Sequence, residues 1–292
     1  MLISAASRGV LHMLVASLFF ALMALFTKLL AGLPIAEIIF FRALLAAVLC
    51  LAGLWRLGLS PWGSDRAGLL LRGVAGFLAL AQGFWLLHHI PLAAATTLTH
   101  LSPLFATLLG IWLVREKVTL LQLAFFALSF GGVVMVQGFD YRITLLHLLV
   151  GISASFCMSV AYTSVRRLGK TEHPLVIMFY FPLVCLPLSL AALLLDFVSP
   201  TPLQWLYLLL LGLSAQIGQY CMTVAYQVAP ISRVAIVSYS EVIFSILLGL
   251  VLFAEHFNAL TYAGMALVLV GVIGQVLWKP AQHRGPLAVG EA

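Results

Sequence analysis

The chain has 292 residues, of which 63% are hydrophobic and only 8% charged, and its mean hydropathy is +1.15. So little polar surface cannot cover a water-soluble globule of this size, so the chain belongs in a bilayer. The net charge of +6 would suggest nucleic acid in a soluble chain, but here Lys and Arg are spread over short loops, and nucleic acid is discounted as a partner.

A helix needs about 20 apolar residues to span a hydrocarbon core. Cutting the chain at its charges, prolines and polar clusters gives ten such segments, at 11–31, 36–57, 67–88, 91–114, 119–138, 145–168, 174–195, 203–227, 231–254 and 259–278. The first lacks a basic region followed by a small-residue cleavage site and is expected to be an uncleaved helix, with no large soluble domain before or after it. Residues 280–292 are expected to form a disordered tail. Connections such as HHIP and FNA are short, which predicts that sequential helices are antiparallel neighbours. The cysteines Cys50, Cys157, Cys185 and Cys221 lie in apolar runs without C-x-x-C spacing, so they are expected to be buried free thiols.

Orientation follows from the cations. With the amino terminus inside, Arg8, Arg56, Arg66, Arg72, Arg115, Lys117, Arg166, Arg167, Lys170, Arg233, Lys279 and Arg284 are cytoplasmic and only Arg142 is on an outer loop. Lys28 and Arg42 fall near the outer ends of the first two segments. There they are expected to snorkel to the interface, with attraction of an anionic substrate or pairing with Glu37 as alternatives.

Pro91 to Glu116 recurs as Pro230 to Glu255 at a constant offset of 139: Pro91 falls on Pro230, Leu108, Leu109 and Gly110 on Leu247, Leu248 and Gly249, and Glu116 on Glu255. The first and sixth segments correspond at an offset of 138, with Ser17, Ala21, Ala24 and Lys28 on Ser155, Ser159, Tyr162 and Arg166. Five segments per half is an odd number, so the second copy enters the membrane upside down. The predicted fold is all-α and integral to the membrane, with ten transmembrane helices in two inverted five-helix repeats (8–138 and 145–279) and both termini cytoplasmic. The matching proline, leucines, glycine and terminal glutamate are expected to serve the fold, with Glu116 and Glu255 pairing or capping locally.

The paired halves, and the motif L-S-P-L-F-A-T-L-L-G from Leu101 to Gly110 followed six residues later by Glu116, resemble the EamA family of the drug/metabolite transporter superfamily. The resemblance implies a bacterial inner-membrane exporter of amino acids, related metabolites or toxic cations, with a central cavity between the halves. The related small multidrug-resistance proteins use a glutamate in their first helix, and this chain has none there.

Polar residues on membrane helices must face protein or water. The fourth segment presents Thr96, Thr99, His100, Pro103 and Thr107, and the ninth answers with Ser238, Tyr239, Glu241 and Ser245. The eighth carries Gly212, Gln216, Gln219, Thr223 and Tyr226 at helical spacing, and the third adds Gln82 and Trp85. A shared cavity is expected, with Gln82, Trp85, Thr96, Thr99, His100, Gln216, Gln219, Tyr220, Tyr239 and Glu241 as candidate substrate-binding residues. Glu241 leads them, because a carboxylate within a membrane is costly enough to imply use. A protonated glutamate that packs helices is its alternative. His100 is able to titrate near neutral pH or relay a proton, or else to bond a neighbouring helix. The glutamines suit a zwitterionic ligand, though they also stitch helices together. Trp85, Tyr162, Tyr180, Tyr220 and Tyr226 offer aromatic walls.

Histidines lack companions at metal-ligand spacing, and no P-loop, G-x-S-x-G or H-E-x-x-H occurs, so no metal, cofactor or enzymatic activity is expected. The expected partners are a small-molecule substrate, an amino acid or metabolite, and the lipid bilayer. The function expected is secondary export of such solutes by alternating access, with a multidrug or toxic-cation exporter and a non-transporting scaffold as alternatives. Pro174, Pro182 and Pro187 mark the seventh segment as a bending element. Gly73, Gly76, Gly83, Gly131, Gly132, Gly264 and Gly271 are expected to permit close helix contact.

Overall fold

Side chains just outside the apolar runs start the helices. Asp65 accepts from Gly68 N–H at 2.9 Å, Thr201 and Gln204 cap one another reciprocally, and Asn258 accepts from Thr261 N–H at 2.7 Å, each satisfying amides that a helix start leaves unpaired. The computed structural model describes residues 5–99, 142–228, 240–256 and 258–277, with isolated positions between 101 and 135 and between 234 and 238. Its helices are α1 (Ala5–Leu29), α2 (Ile35–Arg56), α3 (Arg66–His89), α4 (Leu92–Thr99), α5 (Leu145–Leu168), α6 (Pro174–Leu193), α7 (Pro202–Val228), α8 (Ser240–Phe253) and α9 (Ala259–Leu277). α1 starts before its apolar run does, because each residue added to a formed helix gains a backbone hydrogen bond. α6 remains helical through Pro182 and Pro187.

Six of these helices, α1 to α3 and α5 to α7, are long and apolar enough to cross a membrane. Large apolar side chains such as Leu49, Leu145, Leu149 and Leu209 stay exposed on them, which suits lipid and not water. The predicted fourth, fifth and ninth segments lie partly outside the described residues, as do Arg115, Glu116 and Lys117 and the tail from residue 278.

The main packing partners are not sequence neighbours. α1 packs chiefly on α7, α3 on α5 and α2 on α6, with α1 on α8 and α4 on α5 as further contacts. The short connections do join helix ends, but helices of the other half are inserted between them. Where α3 meets α6, Gly73 allows close approach: a Cβ there would lie 2.7 Å from the Tyr180 carbonyl oxygen. Not every expected glycine acts this way, for Gly131 meets nothing within 4 Å and Gly83 only a Thr99 methyl at 3.9 Å. All four cysteines are free thiols, with Cys50 and Cys185 buried.

Carboxylates tie the connections to the bundle at both ends of α2. Glu37, at its start, accepts from Val198 N–H at 3.2 Å, in the α6–α7 connection. Beyond its other end, Glu172 of the α5–α6 connection accepts from Ser64 N–H (2.6 Å), Ser64 Oγ–H (2.5 Å) and Asp65 N–H (3.0 Å). Burial pushes the Glu172 carboxyl upward, but these three hydrogen bonds outweigh it and hold the group below the ordinary carboxylate range.

Candidate functional site

Two small buried side chains make polar contacts between the first and second parts of the chain. Ser155 Oγ, on α5, donates to the carbonyls of Leu98 (2.7 Å) and Thr99 (3.0 Å), and Ser17 Oγ, on α1, lies 3.4 Å from the carbonyls of Val237 and Ser238. The Thr99 carbonyl needs a donor because the residue four positions on is Pro103, which has no N–H. Both serines are fully buried, so they bring α4 against α5 and residues 237–238 against α1 at the level of a central void.

That void is a cavity of about 100 Å³. A second, of about 70 Å³, adjoins it and shares Met23, Ala79, Leu80, Thr99, Met158 and Glu241. Tyr162 and Gln219 line the first, and Thr96 the second. Tyr162 is paired with the buried Tyr226, their ring centroids 5.5 Å apart. Thr96 and Thr99 turn their hydroxyls to the carbonyls of Leu92 and Thr96. The helices expected to wall the larger cavity contribute Arg72, Gly76, Ala79, Leu80, Thr99, Gln219 and Glu241, while α1, α2, α5 and α6 supply the rest.

The cations depart most from expectation. Arg42 does not snorkel to an interface, and Arg72 does not sit with loop charges: both are inside the bundle, 4% and 3% exposed, and both line the larger cavity. Their guanidinium carbons lie 4.7 and 5.2 Å from the centroid of the Phe181 ring, a cation–π cradle provided by α6. Arg42 is not paired with Glu37, which is engaged with Val198. Nε and Nη1 of each arginine are buried without a hydrogen-bond partner in the protein. Arginine stays protonated, and a buried charge is costly unless it is paired or hydrogen-bonded. The cavity therefore concentrates two positive charges beside the single carboxylate of Glu241. Sequence reading missed Arg72 and Phe181. The available signal was that Arg72 lies two turns inside an apolar segment, too deep for a loop residue.

Of the other candidates, Trp85 stacks on His89 (4.2 Å) and faces His147, away from both cavities. Gln216 donates to Cys50 Sγ at 3.3 Å, between α7 and α2. Tyr220 is 44% exposed on the outer surface of α7, so it is no cavity wall. Gln82 lines neither cavity, though its Oε1 is buried without a partner. Tyr180 donates to the Trp62 carbonyl at 2.8 Å, a loop contact. His100 and Tyr239 lie outside the described residues. Among the described residues, no group of three His, Cys, Asp or Glu side chains comes together.

Lys28 is also not free to snorkel. Its Nζ lies 2.5 Å from Glu255 Oε1 and donates to the Ile90 carbonyl at 3.2 Å, while the same carboxylate oxygen accepts from Leu92 N–H at 2.9 Å. Glu255 is thus more than a local cap: it joins the end of α8 to α1 and to the start of α4. A left-handed Ala254 (φ 46°) turns it inward, and Gly249 leaves the space, since a Cβ there would lie 2.6 Å from Glu255 Oε2.

The sequence profile of the EamA-like transporter family matches twice, over residues 7–137 and 145–277. The chain belongs to this family. It is 31% identical over 268 residues to the pseudopaline exporter of Pseudomonas aeruginosa, covering 91% of this chain and 94% of that one. It is 26% identical over 286 residues to the riboflavin transporter of Vibrio cholerae, covering 95% of each. A solved crystal structure superposes with a TM-score of 0.72 at 19% identity, covering 92% of this chain and 96% of that one, which shows the shared fold. The EamA-like chain is accordingly a multi-pass membrane protein of the transporter class.

Proposed function

We propose that this protein exports small organic solutes, amino acids or related metabolites, across the inner membrane of a bacterium by alternating access. The observation that carries the proposal is the cavity between the two family matches, whose mostly apolar wall carries Arg42, Arg72, Thr99, Tyr162, Gln219 and Glu241 from both. Thr96, Thr99, Gln219 and Glu241 are the proposed binding residues retained from the sequence, and His100 and Tyr239 follow Thr99 and Ser238 in the chain.

The proposed architecture is ten helices in two inverted halves, 8–138 and 145–279, with both termini cytoplasmic. Several features support it. The Ser155–Leu98/Thr99 and Ser17–Val237/Ser238 contacts exchange under the 138–139 residue offsets of the sequence. The pairings of α1 with α7 and of α5 with α3 exchange in the same way. Such exchange provides two near-equivalent packings, one open to each side. The positive-inside bias survives the removal of Arg72 from the loop charges.

Named relatives support export of a metabolite. A toxic-cation exporter finds support in Glu241, which lines both cavities, but the two guanidinium groups oppose it. Purified protein in proteoliposomes, given a panel of amino acids, small metabolites and cationic dyes, should move metabolites faster than empty vesicles do. Movement of the dyes alone would favour the cation reading, and movement of nothing would sink both.

A further inference from the structure

We infer that the larger cavity is a binding site for a solute carrying two carboxylates, held by Arg42 from α2 and Arg72 from α3 on either end of a short anionic span. The inference rests on the transport reading above and adds the chemical class of the solute. Both side chains are at least nine-tenths buried, both line the cavity, and each has Nε and Nη1 without a protein partner. The ion pairs Lys28–Glu255 and Arg167–Asp65 do not involve these arginines. The Phe181 ring holds both guanidinium groups and cannot neutralise them.

Two cations that share a low-dielectric cavity repel one another, and among the described lining residues the protein sets only one carboxylate, Glu241, against the two of them. What satisfies them must enter through the cavity. Guanidinium groups present forked N–H donors that match carboxylate oxygens. Because the two groups come from different helices to one ring, each presents its own fork of donors, which suits two carboxylates on a short span better than a single one. Glu241 and Gln219, on the same wall, give a solute amine somewhere to bind, so an amino dicarboxylate fits as well as a simple one.

The test is ligand-induced thermal stabilisation of the purified full chain in detergent, with glutarate, glutamate, inorganic phosphate, glycine and tetramethylammonium as probes. Glutarate and glutamate should raise the melting temperature saturably, and glycine and tetramethylammonium should leave it unchanged at the same concentration and ionic strength. Arg42→Gln and Arg72→Gln should each weaken glutamate binding at least tenfold, whereas the exposed-surface variant Arg167→Gln should bind as wild type does. If tetramethylammonium or glycine binds as well as glutarate, or phosphate binds better than it, the inference is overturned. Should the arginine variants not fold, the order of probes on the wild-type protein still decides. Transport of neutral solutes without dicarboxylate binding would leave the export reading standing and remove this one. Dicarboxylate binding without transport of any solute would do the reverse.

Discussion

Lys28 Nζ lies 2.5 Å from Glu255 Oε1, joining residues 227 positions apart in the chain. The pair is shielded, at 19% and 6% side-chain exposure, and the same carboxylate also holds the Leu92 amide. Removing one partner leaves a buried charge unpaired, a loss on the order of 2 kcal/mol here because Lys28 is partly exposed. Each substitution breaks two contacts, but Glu255→Ala should destabilise more than Lys28→Ala, since it orphans the buried Leu92 amide, whereas Lys28→Ala orphans the Ile90 carbonyl, and a buried N–H tolerates this less than a C=O. Thermal unfolding in detergent checks the order, and equal or reversed losses would show that the Leu92 contact does not set it.

Glu172 gives a pH dependence with a definite sign. Its folded-state pKa is held below the ordinary value of 4.5, so its contribution is fully present above that value and is lost as pH falls through the folded pKa. Wild-type protein should therefore lose stability on acidification below about pH 4.5, and Glu172→Gln should show a flatter acid limb with a lower plateau at pH 6–7. Melting curves across pH 3–7 measure this directly.

Gly73 tests the packing of α3 on α6. A methyl group there would meet a backbone carbonyl at 2.7 Å, and backbone cannot move aside as a side-chain end can. Gly73→Ala should cost about 1–3 kcal/mol. Gly131→Ala, with open space around it, should be neutral or slightly stabilising. A neutral or stabilising effect of Gly73→Ala, like that expected of Gly131→Ala, would mean that helix propensity rather than contact governs the site.

Glu241 is the residue through which coupling is testable, because it lines both cavities. Glu241→Gln keeps the shape and removes the charge. If the carboxylate carries protons, the variant should retain solute counterflow in proteoliposomes and lose transport driven by a pH gradient. Retention of both at wild-type rates would remove Glu241 from the mechanism.

Much of the candidate site was legible from periodicity. Thr96, Thr99, Gln219 and Glu241 stand out as polar positions in apolar runs, and the structure places all four at the cavities. Gln216, Trp85 and Tyr220 carry the same signal but point elsewhere. Helical spacing assigns a face, and only the neighbouring helices decide whether that face meets a cavity, a cysteine, a histidine or lipid. The arginines show the limit from the other side. Arg42, near the end of its apolar segment, reads as an interfacial anchor, and nothing local distinguishes that fate from burial over Phe181.

Composition alone determined that this chain lives in a membrane, because its surface has too few polar groups for water. The repeat and its terminal glutamates were likewise visible without coordinates, and the two family matches fall on the same halves. Tertiary structure alone decided which residues meet across those halves: Lys28 with Glu255, Ser155 with Leu98 and Thr99, and Arg42 and Arg72 with Phe181. The physical reason is that burial in a bilayer constrains each helix separately, through its own length and polarity. Charge pairing and cavity lining depend on how helices distant in sequence are interleaved.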